Sequence, residues 1–294
     1  MNEAKKTGAT PGRKKTTGTE VMKTYGILIA AAILSATTGY AADPVRIASS
    51  GANVGAIELL IAEFRKSQPD ARFTPVEVVG TGGAVRAAIA GAQHLGLTSR
   101  ALTGAERADG ATEIEYARTP FVFVVNNRTA IDAISRAQLA EIYAGRLTRW
   151  PDGTRARPVL RPADDSDTSI LKSLSPAIAR ALEDALKRPG MIVANTDREA
   201  AETAEKTAGT IAPSTLGLVL SEGRALKALR LDGVEPSLKA LESGQYALHK
   251  RLFVVHGRQP LPETAKRFVA FLGSAQAKAL LARTGHLVPP FAER

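Results

Sequence analysis

Residues 75–100, PVEVVGTGGAVRAAIAGAQHLGLTSR, constrain the fold more than any other stretch of this chain. They read as strand, glycine turn, helix, strand. Val76, Val78 and Val79 are β-branched and suit a buried strand. Gly80, Thr81, Gly82 and Gly83 then remove bulk where the chain turns. Val85, Ala88 and Ile89 recur at i, i+3 and i+4 of a helix, with Gly91 as its stop. Residues 95–98 return as a second strand ending in Thr98, Ser99 and Arg100. Bare backbone amides at a helix N-terminus attract negative charge, because unbonded N–H groups and the helix dipole act together. If the two strands are neighbours in a parallel sheet, both ends open on one edge. That is the edge where α/β folds bind ligands.

The preceding segment repeats the chemistry. A short strand at 45–48 leads to a polar turn, Ser49, Ser50, Gly51, Ala52 and Asn53. A helix follows with Ile57, Leu60, Ile61 and Phe64 on one face, and Asn53 or a neighbour is placed to cap it. Downstream, residues 121–125 (FVFVV) form an apolar strand. Ser135 and Gln138 give a capping box to a helix ending at Gly145. A strand at 158–160 leads into RPADDSDT, residues 161–168, and a helix carrying Ile170, Leu171 and Leu174. Short strands are predicted at 191–193, 211–212, 218–220 and 229–231, with a helix over 197–206. Residues 252–255 (LFVV) mirror 121–125, and two helices close the chain, the second capped by Ser274. Alternating β and α elements predict a parallel-rich α/β fold. The apolar strands 121–125 and 252–255 are candidate crossings between two lobes.

Composition narrows the function. Net charge is +10, of which residues 1–41 supply +4 from six Lys/Arg and two Asp/Glu, leaving +6 for the rest. That bias fits an anionic ligand. Aromatic residues are only 5%, which argues against a nucleic-acid surface. The absence of cysteine excludes disulfides, thiolate catalysis, Cys-ligated zinc and a lipid anchor on cysteine. His94, His249, His256 and His286 are scattered, with no HExxH spacing. There is no Gly-x-Ser-x-Gly elbow and no calcium loop around Asp164, Asp165 and Asp167. No catalytic residue, metal or cofactor is expected. Helix capping and solvation are the plain reading of those three aspartates. Residues 25–36 are an apolar run of signal-peptide length. Gly39 and Ala41 sit at −3 and −1 of a cleavage after Ala41, with a cut after Ala42 as the alternative. The expectation for residues 1–41 is an extension plus a secretory signal peptide, with Met22 as the true start.

In order, the SSGAN turn, the GTGGA turn, GLTSR, LAEIYAGRLTRWPDG, RPADDSDTS, the run from LRLDGVEPSLKALESGQYALHKRLFVV and FLGSAQAKALLARTGHLVP form a series. The chain thereby resembles the periplasmic phosphate-binding proteins of ABC phosphate transporters, over nearly all of the mature sequence. The resemblance implies the two-lobed type 2 periplasmic-binding-protein fold: mixed, parallel-rich sheets flanked by helices, with a ligand cleft between lobes. It implies one lobe from residues 42–120 plus 251–294 and the other from 121–250. Three turns would hold a tetrahedral oxyanion: Ser50, Gly51, Ala52 and Asn53; Thr81, Gly82 and Gly83; and Ser166, Asp167 and Thr168. Ser99 and Arg100 fall where many phosphate binders keep an aspartate that accepts the ligand's proton. Arg161 lies one step from the position of the family's gripping arginine, which here is Pro162. The family's third turn has Gly-Ser-Gly-Thr, and Asp165 and Asp167 replace both glycines. The implied function is a monomeric periplasmic protein that captures phosphate or a similar oxyanion for an inner-membrane ABC permease, with no nucleic-acid partner. The alternative is a ligand-sensing or accessory protein of the same fold with a non-phosphate ligand.

Overall fold

The computed structural model describes residues 43–288. The signal-peptide and Met22 readings lie outside them. In chain order the elements are β1 (Ile47–Ser49), α1 (Gly51–Ser67), β2 (Glu77–Val78), α2 (Gly80–Ile89), β3 (Leu95–Thr98), α3 (Gly104–Ala108) and β4 (Thr112–Asn126). Then come β5 (Ala133–Ile134), α4 (Arg136–Tyr143), β6 (Arg157–Leu160), α5 (Ser166–Leu174), α6 (Pro176–Lys187), β7 (Ile192–Val193), α7 (Asp197–Lys206), β8 (Thr210–Thr215) and α8 (Leu216–Ser221). The last are β9 (Leu226–Ala228), β10 (Arg230–Leu231), α9 (Leu238–Glu242), β11 (His249–His256), α10 (Glu263–Phe271) and α11 (Ala275–Arg283).

The main sheet runs β2-β1-β3-β11-β4-β8-β6-β7, with β9 also on β4. β1 pairs in parallel with both β2 and β3, so β1 stands between the two strands of the 75–100 stretch and they are not neighbours. Their ends nonetheless open on one edge, because both run the same way as β1. On the far side β6 runs parallel to β7 and β8. β4 joins the two halves. Its first part, up to Pro120, pairs antiparallel with β11, and from Phe121 it pairs antiparallel with β8. The sheet thus carries α/β architecture on both flanks of one long strand.

Two helix starts differ from expectation. α1 begins at Gly51 and α2 at Gly80, so each glycine turn is the first turn of its helix. Asn53 does not cap α1; Ser50 is the N-cap residue, and no side chain satisfies the first amides. Residues 218–220, predicted as a strand, lie in α8, whose start is fixed by the Thr215 hydroxyl accepting from Leu218 N–H at 3.1 Å. The strand expected at 121–125 is the second part of one long strand that begins at Thr112.

Apolar side chains gather on both halves. Ile47, Ile57, Leu60, Leu97 and Phe268 form one core, in which Phe64 meets Phe268 edge-on with ring centroids 5.4 Å apart. Phe121, Phe123, Tyr143, Trp150 and Leu182 form another. Burial of such side chains contributes roughly 1.5–3 kcal/mol each, and the strand directions on either side of β4 turn the carboxyl ends of β1, β3 and β6 toward one crevice.

Candidate functional site

The carboxyl end of β1 delivers Ser50, and that of β3 delivers Ser99. Their hydroxyl oxygens are 2.6 Å apart. Asn53, one turn into α1, donates from Nδ2 to Ser50 Oγ at 2.6 Å. Tyr116 of β4 donates to Asn53 Oδ1 at 2.5 Å, and burial raises its pKa so that the phenol stays a donor. Ser99 N–H donates to Thr81 Oγ1 at 3.1 Å, which ties the start of α2 to the end of β3. Ser50, Asn53, Thr81 and Ser99 therefore converge in one buried network, as adjacency of β1 to β2 and β3 requires. Gly51 is pressed against the start of α7: a Cβ there would lie 2.9 Å from Asp197 Cβ.

Behind the crevice lies a buried charge cluster. Arg161, at the end of β6, donates from Nη1 to Ala194 O at 2.9 Å and from Nη2 to Asp165 Oδ2 at 2.9 Å. Its Nε is 3.5 Å from Asp167 Oδ2, and its Nη2 is 3.7 Å from Asp197 Oδ2. Lys250, from β11, lies between Asp167 and Asp197, 2.5 Å from Asp197 Oδ1 and in contact with Asp167. Arg161, Asp167 and Lys250 are all buried. Burial opposes charge on Lys250, but Asp167 and Asp197 outweigh it and hold the ammonium above its ordinary pKa. The two carboxylates divide. Burial pushes Asp167 up to about 7 despite Lys250. Asp197 is also penalised by burial, but Lys250 and Arg161 hold it below the usual carboxylate range. Two acids sharing one ammonium retain a proton on the less well-donated one. Asp165 has a further duty: its Oδ1 accepts from Asp167 N–H at 2.8 Å and so caps α5. Asp165, not Asp167, is the cap, and Asp167 is a buried ion-pair partner rather than a solvated charge.

In front of the cluster is a cavity of about 380 Å³, lined by residues 79–83, Arg86, Arg100, Glu106, Asp164 and Ser166, among others. A neighbouring cavity of about 290 Å³ shares Arg100, Asp164 and Ser166 with it and adds Ser99. The start of α2 faces the first cavity with no side-chain cap. Arg86 folds back along α2, with Nη1 3.2 Å from where a Cβ on Gly82 would stand. Arg100 is held by Glu106 through two bonds of 2.8 Å. That fork pulls Glu106 down to about 2. A larger cavity, about 490 Å³, lies between α1, α7 and α8. Its charges neutralise one another, Glu222 accepting from Arg198 at 2.6 Å and pairing with Arg224 at 2.7 Å. The chemistry favours the smaller cavity.

Of the residues singled out in the sequence, Thr81, Gly82, Gly83, Arg100 and Ser166 line the 380 Å³ cavity, and Ser99 lines its neighbour. Ser50, Gly51, Ala52 and Asn53 are buried behind it. Arg161 and Asp167 belong to the charge cluster, and Thr168 donates from Oγ1 to Arg161 O at 3.1 Å. Sequence reasoning missed Arg86, Tyr116, Asp197 and Lys250. Lys250 carried a signal, a cation two residues before the apolar run LFVV. Arg86 stood one turn after the glycines, at the spacing that returns a side chain toward a helix start.

A family model described as a PBP superfamily domain matches residues 30–276. The phosphate-binding protein PstS of Borreliella burgdorferi is 24% identical over 199 residues, 66% of this chain and 71% of that protein. Among solved structures, a candidate phosphate ABC transporter substrate-binding protein with bound phosphate from Clostridium perfringens superposes with a TM-score of 0.72 at 18% identity. The match covers 84% of this chain and all (100%) of that one. The periplasmic molybdate-binding protein of Azotobacter vinelandii superposes with a TM-score of 0.59 at 13% identity, over 83% and 99% of the two chains.

Proposed function

The chain belongs to the PBP superfamily, and we propose that within it the protein is a periplasmic solute-binding protein that captures an oxyanion-bearing solute for an inner-membrane ABC permease. The observation that carries this reading is the cleft at the carboxyl ends of β1, β2, β3 and β6. There the uncapped start of α2, the Thr81 hydroxyl, Arg86 and Arg100 face one cavity. Such a wall offers N–H donors, a dipole and guanidinium groups to negative charge. The phosphate-binding relative and the phosphate- and molybdate-binding neighbours support an oxyanion as the recognised group. Binding is non-covalent, by a monomer, with no catalytic step. Residues 42–120 with 251–294 act as one lobe and 121–250 as the other, and their closure excludes water and strengthens each polar contact. No helix among the described residues is long and apolar enough to cross a membrane, and export follows from the signal peptide read in residues 1–41.

Titration calorimetry of the purified protein against oxyanions, inorganic and organic, tests the reading. Saturable one-to-one binding of any of them is the expected result. Heat from none of them, with intact far-UV circular dichroism, would remove it.

A further inference from the structure

Resting on that reading, we propose that the solute is an organic phosphate: a small phosphomonoester or phosphonate whose organic end carries hydroxyl or ammonium donors, bound in preference to inorganic phosphate. Four observations lead there.

The deep position is filled by the protein. At the start of α1, Gly51 has Asp197 against it, and the Ser50 and Asn53 side chains are engaged with Ser99 and Tyr116. The start of α5 is occupied by Asp165, which takes the Asp167 amide. Two of the three turns are thus committed within the molecule, and their cations, Arg161 and Lys250, face carboxylates.

The wall made by α2 still asks for an acceptor. Thr81 is 9% exposed, and its oxygen accepts from Ser99 N–H, but its own hydroxyl proton has no acceptor among the described residues. Val79, the N-cap residue, supplies no capping side chain, and Arg86 lines the same wall. An oxyanion fits these donors.

The opposite wall asks for a donor. It presents Asp164, Asp165 and Ser166. Asp165 is matched by Arg161, whereas Asp164 is exposed, makes no hydrogen bond or ion pair among the described residues, and lines both cavities, where a solute's donor can take the place of its water. A bare dianion meets repulsion there, and a hydroxyl or ammonium group meets an acceptor. A solute that satisfies both walls is bipolar.

Size agrees with charge. A cavity of about 380 Å³ lies in the roughly 300–1,000 Å³ range of small-molecule sites, and one water's share is only about 30 Å³. A phosphate ion alone leaves most of it to water. The adjoining cavity of about 290 Å³ gives an organic body room beside Arg100.

The test is calorimetry on the purified protein with glycerol 3-phosphate, phosphoethanolamine and 2-aminoethylphosphonate, each against inorganic phosphate and sulfate. At least one organic phosphate should bind about tenfold or more tightly than inorganic phosphate. In Asp164→Asn with Ser166→Ala, both cavity-lining, that affinity should fall about tenfold while the melting temperature is kept. Inorganic phosphate binding as tightly as every organic phosphate overturns this proposal and leaves the oxyanion function standing. An organic affinity unmoved by the double variant overturns the role of the acidic wall. Binding of no oxyanion of either kind overturns the function itself.

Discussion

Lys250 is the residue on which the buried charges balance. It is fully buried in β11 and faces Asp167 and Asp197, which come from two different helices. Lys250→Met keeps the length of the stem and removes the charge. It leaves two carboxylates to Arg161 alone, and breaking a buried pair from one side costs about 3–5 kcal/mol. Urea unfolding should show that loss as a lower midpoint, and a midpoint within error of the wild type would mean the cluster carries little stability. Asp167 sets a pH dependence. Its folded pKa, about 7, lies above the ordinary carboxylate value of 3.8 because burial disfavours its charge. A raised folded pKa contributes stability that is complete below the unfolded value and lost as pH rises through the folded one. Glu106 acts in the opposite sense: held at about 2 by Arg100, against an ordinary 4.5, it contributes above the ordinary value and is lost only as pH falls toward 2. Melting temperature should therefore decline from about pH 5 to about pH 8 in the wild type. In Asp167→Asn that decline should flatten; an equal slope in both would assign it to other groups.

At the scale of elements, the sequence made the two β-turn-α units legible because glycine, hydroxyl and helical spacing coincide at residues 80–89. The other features had weaker local signals. Residues 216–220 form an apolar run too short for periodicity to separate helix from strand, and only the Thr215 cap marks α8. Pro120 sits inside β4 where pairing passes from β11 to β8. A proline is tolerated at such a change of partner. The acidic third turn was visible as Asp164, Asp165 and Asp167, but which of them capped α5 depended on Arg161 and Lys250 arriving from distant strands. One close approach between elements had no signal at all. Gly55 of α1 packs on α8, where a Cβ would strike Ser221 Oγ and stand 2.6 Å from Glu222 Cγ. Gly55→Ala should force α1 and α8 apart at a cost of about 1–3 kcal/mol, the usual penalty of overpacking, offset in part by alanine's better helix propensity. Thermal melting reads the difference; a variant more stable than the wild type would show that Ser221 and Glu222 swing away freely.

Across the whole molecule, the question is whether the two cores unfold as one. β4 runs through the junction, pairing with β11 up to Pro120 and with β8 from Phe121. The Gly55 contact joins α1, beside the first core, to α8, and the charge cluster joins Arg161, Asp167 and Asp197 to Lys250 in β11. Unfolding one half alone would strand these carboxylates and half of β4 in water or without partners. That penalty couples the halves. Trp150 is the protein's single tryptophan and reports on the second core, where it is buried and donates from Nε1 to Gly209 O at 2.8 Å. Its fluorescence should therefore follow local packing around residues 143–211 rather than the width of the cleft. Far-UV circular dichroism, by contrast, sees helices of both halves. If the coupling holds, the two signals trace one urea transition with coincident midpoints, the test of all-or-none unfolding. If the tryptophan signal instead leads or lags the circular dichroism, the halves are separable folding units. The ion cluster would then be a local fixture of the cleft rather than a clasp between cores.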